Sequence, residues 1–426
     1  MKVLWFSSFP GLFDIPGCDK GYGGGAWIAS LHALLKGDPS CQLAIAFPFH
    51  KPMEKFSQED TDYYPIYSPR PSSFDKLKEY YGGYKKWDRD KYVAEARAVV
   101  ADFRPDVAHI FGIENPFNNV LGRLDVPVVV HLQGFLAPYD NAFFPQGLNK
   151  SSFVFPVTSR EWVLRNGYIF AKNSIHERGL QEMERFKSVR YTMGRTRWDY
   201  QISRLLAPQS TYRVVNEVLR EPFYRDAGAW KPHTGGKLVV ISTVSQTIYK
   251  GIDLVLKTAD LLHRTTDVDL EWKVVGIKAD SKYVTFFERA VGIKSAECGV
   301  RYLGVLDAEK LAAELLQASV YVHPSYIDNS PNSLCEAQMI GLPVIGTFVG
   351  GIPSLIDDGN SGLLIPANAP FELAYWLKRL STDGELCARL SEGGAQAAAK
   401  RHDKRQIVAD LLETYKEVIE VEKKRN

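Results

Sequence analysis

The sequence predicts an α/β protein with two parallel sheets. Short apolar runs alternate with helical patterns along the chain, which is typical of parallel sheets. The run at residues 126–130 is uninterrupted by polar residues, which favours a strand covered on both faces. The runs are also too many for one sheet of ordinary width. At 426 residues, the chain has the length of two or three domains of about 150 residues each.

The predicted strands and helices follow from these patterns. Strands are predicted at residues 2–7, 42–47, 107–111, 126–132, 188–193, 212–216, 237–242, 271–275, 300–303, 320–323 and 344–347. Helices are predicted at residues 26–35, 90–103, 252–263, 309–317, 332–340, 370–380 and 404–424. Residues 48–87 and 134–179 do not follow the alternation. We interpret residues 48–87 as an excursion from the first sheet, whereas residues 134–179 mix aromatic and basic residues and contain helical pieces.

Residues 225–236 predict the boundary between two domains. This stretch holds Gly228, Pro232, Gly235 and Gly236 between strand-like runs, and such residues interrupt regular structure. We therefore predict one doubly wound domain over residues 1–228 and a second over residues 236–403.

Charge and cysteine content argue against several classes of protein. The 52 basic and 50 acidic residues leave a net charge of +2, whereas proteins that bind nucleic acid duplexes more often have a strong basic excess. No apolar run approaches the ~20 residues of a membrane-spanning helix, and the N-terminal run is too short for a signal peptide. The five cysteines are scattered without a CxxC pair, so a reducing cytosol is expected.

The segment after predicted strand 320–323 begins a helix. Ser330 is a typical N-cap, and Pro331 is favoured at the first helical position. Backbone N–H groups at a helix start can hold an anion. In this helix they belong to Asn332, Ser333 and Leu334.

Two carboxylates flank this helix start. Asp328 lies in the loop before it, and Glu336 lies within its first turns. Carboxylates in this position can accept hydrogen bonds from sugar hydroxyls. A strand–helix joint with a capping Asp and a solvated Glu explains the same pattern equally well.

Three weaker signals concern phosphate and sugar binding. Glycines at 21–25 open helix 26–35, where they allow close approach of a phosphate or a dinucleotide, although a flexible loop is an equal alternative. Lys250 precedes helix 252–263 and can neutralise a leaving pyrophosphate, although a lone loop lysine is usually solvated. His109 and His131 lie at or near strand ends, although a lone histidine is more often structural.

No residues at metal-ligand spacing are evident. The D-x-D matches at 88–90 and 267–269 do not follow buried strands, so we interpret them as surface carboxylates and predict no metal site.

Taken together, these motifs resemble glycosyltransferase family 4, whose retaining enzymes have GT-B architecture. Residues 323–347 resemble the E-x7-E segment of the family and the E-A-x-x-x-G-x-P-V-I run that follows it. Residues 194–199, Gly-Arg-Thr-Arg-Trp-Asp, resemble a run of a bacterial subgroup. Further matches lie at residues 250–251, 304–305, 350–353, 358–364 and the N-terminal glycines.

The resemblance implies two Rossmann-like domains that face a cleft, with the tail helix 404–424 packed on the first. It implies a retaining, metal-independent hexosyltransferase that needs no cofactor besides its nucleoside-diphosphate sugar donor, with UDP or GDP as the nucleotide. The acceptor is then a glycan, a lipid-linked molecule or a small molecule in bacterial polysaccharide biosynthesis. No nucleic acid partner is expected, and the location is the cytoplasm or the inner membrane face.

The resemblance also implies residue roles. Lys250 stabilises the leaving diphosphate, Asp328 contacts sugar hydroxyls, and Glu336 binds the donor ribose. The other implied donor-binding residues are Asn332, Ser333, Leu334, Gly23, Gly24, Ser245, Gly304, Val305 and Leu306.

Three positions depart from the family pattern. Asp328 stands where the family usually has Glu, Ser245 where many members have Arg, and Gln133 where many have a cleft histidine. The candidates for the missing phosphate cation are Arg160, Arg195 and Arg197. The candidates for acceptor or sugar contacts are His109, His131, Gln133, Arg195 and Arg197.

Two other classes of function stay open on the sequence. A nicotinamide-dependent oxidoreductase would use residues 21–26, and a non-catalytic nucleotide-sugar-binding protein would have a decayed site. The stretch 76–89 contains tyrosines and Trp87 among basic residues. This pattern is compatible with peripheral contact with an anionic membrane, with stacking on a sugar, or with a solvated surface.

Overall fold

A computed structural model of the chain describes residues 1–14, 26–68, 84–149, 153, 167–232 and 236–425. The strands in these ranges are β1 (Lys2–Phe6), β2 (Gln42–Phe49), β3 (Phe56–Gln58), β4 (Thr61–Tyr67), β5 (Val107–Phe111), β6 (Val128–His131), β7 (Tyr191–Gly194), β8 (Thr211–Val214), β9 (Leu238–Thr243), β10 (Leu270–Val275), β11 (Val300–Gly304), β12 (Val320–His323), β13 (Val344–Thr347) and β14 (Leu363–Ile365). The α-helices are α1 (Ala26–Leu35), α2 (Tyr84–Phe103), α3 (Leu136–Asn141), α4 (Tyr168–Phe186), α5 (Arg197–Leu206), α6 (Glu221–Arg225), α7 (Ile252–Thr265), α8 (Lys282–Val291), α9 (Ala308–Leu316), α10 (Asn332–Met339), α11 (Pro370–Leu380), α12 (Gly384–Arg401) and α13 (Lys404–Lys423).

The chain divides into two compact units. The first combines Met1–Asp140, Ser159–Val218 and Asp403–Asn426, and the second combines Asn141–Thr158 and Leu219–His402. The predicted boundary at 228–236 therefore differs from the observed division, because residues 141–158 and 219–228 belong to the second unit.

Side-chain and backbone contacts explain both differences. The Gly228 N–H donates to the Met339 carbonyl at 3.0 Å, and the Trp230 indole donates to the Ala318 carbonyl at 2.7 Å. In the earlier segment, the Phe153 ring lies 5.3 Å from the ring of Phe286. These contacts join residues far apart in sequence, so the glycines and prolines near 228–236 did not reveal them.

The first unit is built on an eight-stranded sheet of order β3-β4-β2-β1-β5-β6-β7-β8. All neighbours are parallel except β3 and β4, which form an antiparallel pair. Both of these strands lie within residues 48–87, where we predicted an excursion. Pro65 inside β4 disfavours a strand assignment, yet β4 follows β2 in register from Thr61 to Tyr67.

The C-terminal helix α13 completes the core of the first unit. Tyr415, on this helix, is fully buried and accepts a hydrogen bond from the Trp5 indole at 3.1 Å. Its hydroxyl also lies 2.5 Å from His109 Nδ1, so one buried tyrosine connects β1, β5 and the end of the chain.

The second unit contains a six-stranded, wholly parallel sheet of order β11-β10-β9-β12-β13-β14. The strand order reverses between β9 and β12, which pair through Val240 and Val320. Ligands of open α/β sheets bind beyond the carboxyl ends of the strands at such a switch point. Lys250 follows β9 and Asp328 follows β12, so the topology brings these two predicted residues to one place.

Candidate functional site

The loops after β9 and β12 lie directly against each other in the second unit. Lys250 ends a 3₁₀ turn, Ile248–Lys250, and the Tyr326 N–H donates to the Tyr249 carbonyl at 2.8 Å. The next residue, Gly251, has φ +77°, and a Cβ there would lie 2.0 Å from the Pro324 carbonyl oxygen. Only glycine permits this approach, so Gly251 fixes the Lys250 loop on the loop that carries Asp328.

A second glycine, Gly350, contacts the backbone of Asp328. Gly350 has φ +52°, and a Cβ there would lie 1.9 Å from the Asp328 carbonyl oxygen. The N–H of Gly351 donates to that same carbonyl at 2.9 Å. The Gly350-Gly351 pair, which matched the family pattern, therefore positions the backbone of Asp328.

Three ionisable side chains meet at Asp328 Oδ2. Lys250 Nζ lies 2.6 Å from this oxygen and His323 Nε2 lies 2.9 Å from it. Burial opposes ionisation of the carboxyl, but the Lys250 ammonium and the His323 hydrogen bond outweigh it and hold the pKa of Asp328 well below its usual range. Asp328 is therefore a carboxylate, and His323 donates its Nε2–H to it.

His323 was not among the predicted site residues. It is the last residue of β12 and is buried, and burial lowers its pKa despite the neighbouring Asp328. A polar residue at the carboxyl end of a strand, followed by proline, was a usable signal, since such residues border the ligand crevice.

The Asp328 cluster predicts a pH dependence of stability. The pKa of Asp328 is lower in the folded chain than the ~3.9 of an unfolded aspartate. Its stabilising contribution is therefore complete above about pH 4 and is lost as the pH falls toward the folded-state pKa. We expect Asp328→Asn to have a lower Tm than the wild type at pH 7, with a Tm difference that narrows as the pH falls below about 4. A Tm difference that is constant with pH would contradict the ion pair.

Helix α10 begins immediately after this cluster. It starts at Asn332 with Pro331 as N-cap, so the predicted Ser330 cap with Pro331 at the first helical position is wrong by one residue. The Leu334 N–H donates to the Pro331 carbonyl at 3.0 Å, within the helix. The hydroxyl of Ser333 lies 2.7 Å from that of Tyr321 on β12, which fixes the first turn to the sheet.

Glu336 lies one turn into α10 and pairs with an arginine that the sequence did not single out. Arg220 Nε donates to Glu336 Oε1 and Arg220 Nη2 to Oε2, both at 2.7 Å. The Glu336 side chain is only 2% exposed, so the alternative of a solvated Glu is wrong. A bidentate fork is among the strongest ion-pair geometries in proteins.

The other predicted donor-binding residues of the second unit lie at the same edge of the sheet. Gly304 ends β11 with φ +70° and donates its N–H to the Ile277 carbonyl at 2.9 Å. Val305 is 53% exposed and Leu306 is half-buried. Ser245 follows β9, is exposed, and its hydroxyl lies 3.1 Å from that of Thr247.

In the first unit, both candidate histidines lie in the core. His109 and His131 are fully buried, and His131 Nε2 lies 3.0 Å from the Val215 carbonyl oxygen. Burial lowers the pKa of His109 well below its ordinary value and that of His131 to about 3, so both rings are neutral. The structure therefore places these two side chains among aromatic rings and not on an open surface.

The candidate arginines and Gln133 differ in their surroundings. Arg195 is buried, donates to the Leu132 carbonyl at 3.2 Å, and lies over the Trp27 ring at 5.2 Å. The guanidinium is thus engaged inside the first unit, which disfavours a role as a phosphate cation. Arg197 is exposed at the first position of α5, and Gln133 is half-buried after β6. Gly23, Gly24 and Arg160 lie outside the described residues.

The Gly194–Asp199 motif is explained by local structure. Thr196 caps α5 and Asp199 completes the capping box, with the Asp199 N–H donating to the Thr196 hydroxyl at 3.2 Å. A Cβ on Gly194 would lie 2.4 Å from the Tyr212 hydroxyl, which requires glycine there. These residues build the β7–α5 joint of the first unit.

Comparison with known proteins matches the part of the chain that carries this site to a protein family. Residues 229–397 match the family described as "Glycosyl transferases group 1". This part of the chain is a glycosyl transferases group 1 domain. For residues 229–397, the predicted family, a glycosyltransferase of family 4 type, is confirmed. The domain contains Lys250, Asp328 and Glu336, whereas Arg220 lies just before it.

Curated relatives agree with this assignment. The D-inositol 3-phosphate glycosyltransferase of Streptomyces bingchenggensis is 40% identical over 101 residues, or 24% of this chain and 22% of the relative. That of Paenarthrobacter aurescens is 30% identical over 173 residues, or 40% of this chain and 41% of the relative. The chain thus spans less than half the length of these relatives.

Solved structures show the fold over nearly the whole chain. A sucrose-phosphate synthase from Thermosynechococcus elongatus has a TM-score of 0.70 at 15% identity, with 99% of each chain covered. HepE of Anabaena, solved in complex with UDP-glucose, has a TM-score of 0.62 at 14% identity and covers 98% of this chain and 100% of its own. The predicted GT-B fold is therefore confirmed, and neither the oxidoreductase nor the non-catalytic alternative gains support.

A membrane-spanning segment is not found among the described helices, none of which combines the necessary length and apolar character.

Proposed function

We propose that the protein is a retaining glycosyltransferase that moves a sugar from a nucleoside-diphosphate sugar to an acceptor hydroxyl. The observation that carries the proposal is the convergence of Lys250, Asp328, Glu336 and the start of α10 at the switch point of the second sheet. A cation, two carboxylates and a helix start are the groups that a diphosphate and two polyols require.

Lys250 is the residue that we assign to the leaving diphosphate. Its ammonium is held 2.6 Å from Asp328, and the Lys250 side chain is about one fifth exposed, so the residue is fixed in position without being fully buried. As the anomeric C–O bond breaks, negative charge grows on the diphosphate, and a positioned cation stabilises that charge. The N-terminus of α10 adds positive potential at the same place.

Asp328 has the sugar-contacting role in this proposal. Its backbone is held by Gly350 and Gly351, and its side chain by Lys250 and His323. The aspartate is one methylene shorter than the family's usual glutamate. His323 and Lys250 anchor Asp328 Oδ2, and the Asn329 N–H donates to Oδ1 at 3.1 Å. We assign the remaining acceptor capacity of Oδ1 to the donor sugar.

The finer parts of the proposal concern stereochemistry and partners. We infer front-face retention, in which the acceptor hydroxyl attacks on the side from which the diphosphate leaves and a phosphate oxygen takes its proton. HepE is solved with UDP-glucose, and we propose a UDP-sugar as donor here. We further propose a glycan, lipid-linked or small-molecule acceptor, no required metal or cofactor, and a cytoplasmic site of action that includes peripheral membrane contact.

Nucleotide binding tests the proposal directly. We expect UDP, more than GDP, ADP, dTDP or NAD, to raise the Tm of the wild type, with or without EDTA. A ligand of the folded state stabilises it by about 2.7 kcal/mol at a hundredfold excess over Kd. We expect Glu336→Gln to weaken UDP binding about tenfold or more, because a hydrogen bond to a charged group is lost.

Glu309→Gln is a matched control for this substitution. Glu309 also accepts a two-pronged hydrogen bond from an arginine, Arg225, but its side chain is 64% exposed on the surface of the same unit. UDP affinity should be unchanged in this variant. A Tm increase with NAD alone, or equal UDP affinity in Glu336→Gln and the wild type, would contradict the proposed donor site.

A further inference from the structure

We propose that Arg220 is a positioning residue that orients Glu336 for recognition of the donor ribose. The role rests on the proposed function, because it requires that Glu336 bind the ribose hydroxyls of the donor. Arg220 precedes the matched family domain, and none of the sequence motifs includes it. The bidentate contact between the two side chains is the starting observation.

The geometry constrains Glu336 more tightly than a single hydrogen bond can. Each carboxylate oxygen accepts one N–H of the guanidinium, both at 2.7 Å, so the two planar groups lie in register. This contact fixes the rotation of the carboxylate about its terminal bond. Two oxygens in a fixed plane are what recognition of a vicinal diol requires, since the two ribose hydroxyls are themselves fixed by the ring.

Charge supports the same role. The Glu336 side chain is 2% exposed, and an isolated carboxylate at that depth is strongly destabilised. Burial opposes the charge on Arg220 too, but the hydrogen bonds to Glu336 outweigh it and raise the pKa of the guanidinium. The pair therefore keeps Glu336 ionised, and an ionised carboxylate accepts hydrogen bonds through both oxygens.

The stem of Arg220 is held by its own helix. Arg220 is the N-cap of α6, its carbonyl accepts the Phe223 N–H at 3.1 Å, and its guanidinium lies 5.0 Å from the centre of the Phe223 ring. Lysine at this position would keep the charge but lose the planar fork. Arg220→Lys thus separates orientation of Glu336 from neutralisation of its charge.

The test measures discrimination between ribose and 2′-deoxyribose. Calorimetric Kd values are determined for the pairs UDP and dUDP, GDP and dGDP, and ADP and dADP. We expect the wild type to prefer the ribonucleotide of its preferred base about tenfold. Arg220→Lys should reduce this preference to about twofold while leaving the deoxyribonucleotide affinity nearly unchanged. Arg220→Gln, which also removes the charge beside Glu336, should reduce the preference at least as far. Circular dichroism establishes that each variant is folded before its Kd values are compared.

Two controls distinguish a specific effect on the orientation of Glu336 from an unspecific effect of the substitution on the folded protein. Arg225→Lys alters a neighbouring arginine of α6 that pairs with Asp226 and Glu309 on the surface, and it should keep the wild-type preference. In a Glu336→Gln background, Arg220→Lys should cause no further change, because its effect acts through Glu336.

The results distinguish this role from the proposed function itself. A folded Arg220→Lys variant with the wild-type preference would overturn the role of Arg220 alone. Tighter ribonucleotide binding in that variant would also overturn it, because Arg220 would then compete with ribose for Glu336. Wild-type protein that binds none of the six nucleotides would remove the proposed function, and the role of Arg220 with it.

Discussion

Replacement of Lys250 by alanine is expected to lower kcat by about a hundredfold to a thousandfold, with little change in the KM for the donor. Loss of one positioned group that stabilises developing charge typically has an effect of this size. The effect falls on kcat because the diphosphate gains negative charge as the anomeric bond breaks, so the ammonium interacts more strongly with the transition state than with bound donor.

The structure also predicts a smaller effect of this substitution on stability. Lys250 is the cation closest to the buried Asp328 carboxylate, at 2.6 Å, and its removal leaves His323 as the remaining side-chain partner at 2.9 Å. Initial rates must therefore be compared at a temperature where circular dichroism shows both proteins fully folded. Single-turnover rates at saturating donor then report the chemical step without a contribution from product release.

Lys273→Ala is the matched control for Lys250→Ala. Lys273, on β10, forms an ion pair of 2.7 Å with Glu314, and its side chain is 15% exposed, against 21% for Lys250. Its loss removes a similar ion pair from the same unit without touching the loops after β9 and β12. We expect a kcat within about twofold of the wild type in this control. Unchanged single-turnover rates in Lys250→Ala would remove Lys250 from the reaction.

Local signals were sufficient for most of the second unit. The helix at Pro370–Leu380 and the strands at Val320–His323 and Val344–Thr347 have the predicted bounds, because continuous apolar runs and helical spacing are short-range properties. Lys250, Asp328 and Glu336 were singled out for the same reason, since each lies in a short motif beside a helix start.

Contacts between distant residues account for what the sequence did not reveal. Arg220 lies 116 positions before Glu336, and no local sequence pattern predicts that the two side chains form an ion pair. His109 was interpreted as a strand-end group, but its hydrogen-bond partner, Tyr415, lies 306 positions away on the last helix. The assignment of residues 141–158 to the second unit also depends on packing between distant aromatic rings, such as Phe143 and Tyr249.

Gly350→Ala is expected to destabilise the second unit by about 3 kcal/mol or more and to lower transferase activity in the fraction that remains folded. Two costs combine at this position. The backbone has φ +52°, which disfavours any residue with a side chain, and the added Cβ would lie 1.9 Å from the Asp328 carbonyl oxygen. That oxygen belongs to the backbone and also accepts the Gly351 N–H, so it cannot move without displacing Asp328.

Gly359→Ala separates the backbone strain at positive φ from the steric clash of the added Cβ. Gly359 has φ +77°, but an added Cβ there meets nothing within 4 Å, so this variant has only the backbone strain of about 1 kcal/mol. For a domain of about 150–250 residues, that corresponds to a Tm decrease of about 2–4 °C, and Gly350→Ala should decrease the Tm at least twice as much. Because the excess arises from displacement of Asp328, it should be accompanied by loss of activity in Gly350→Ala and not in Gly359→Ala. Equal Tm values for the two variants would show that the Asp328 loop moves freely, and the carboxylate would then owe its position to Lys250 and His323 alone.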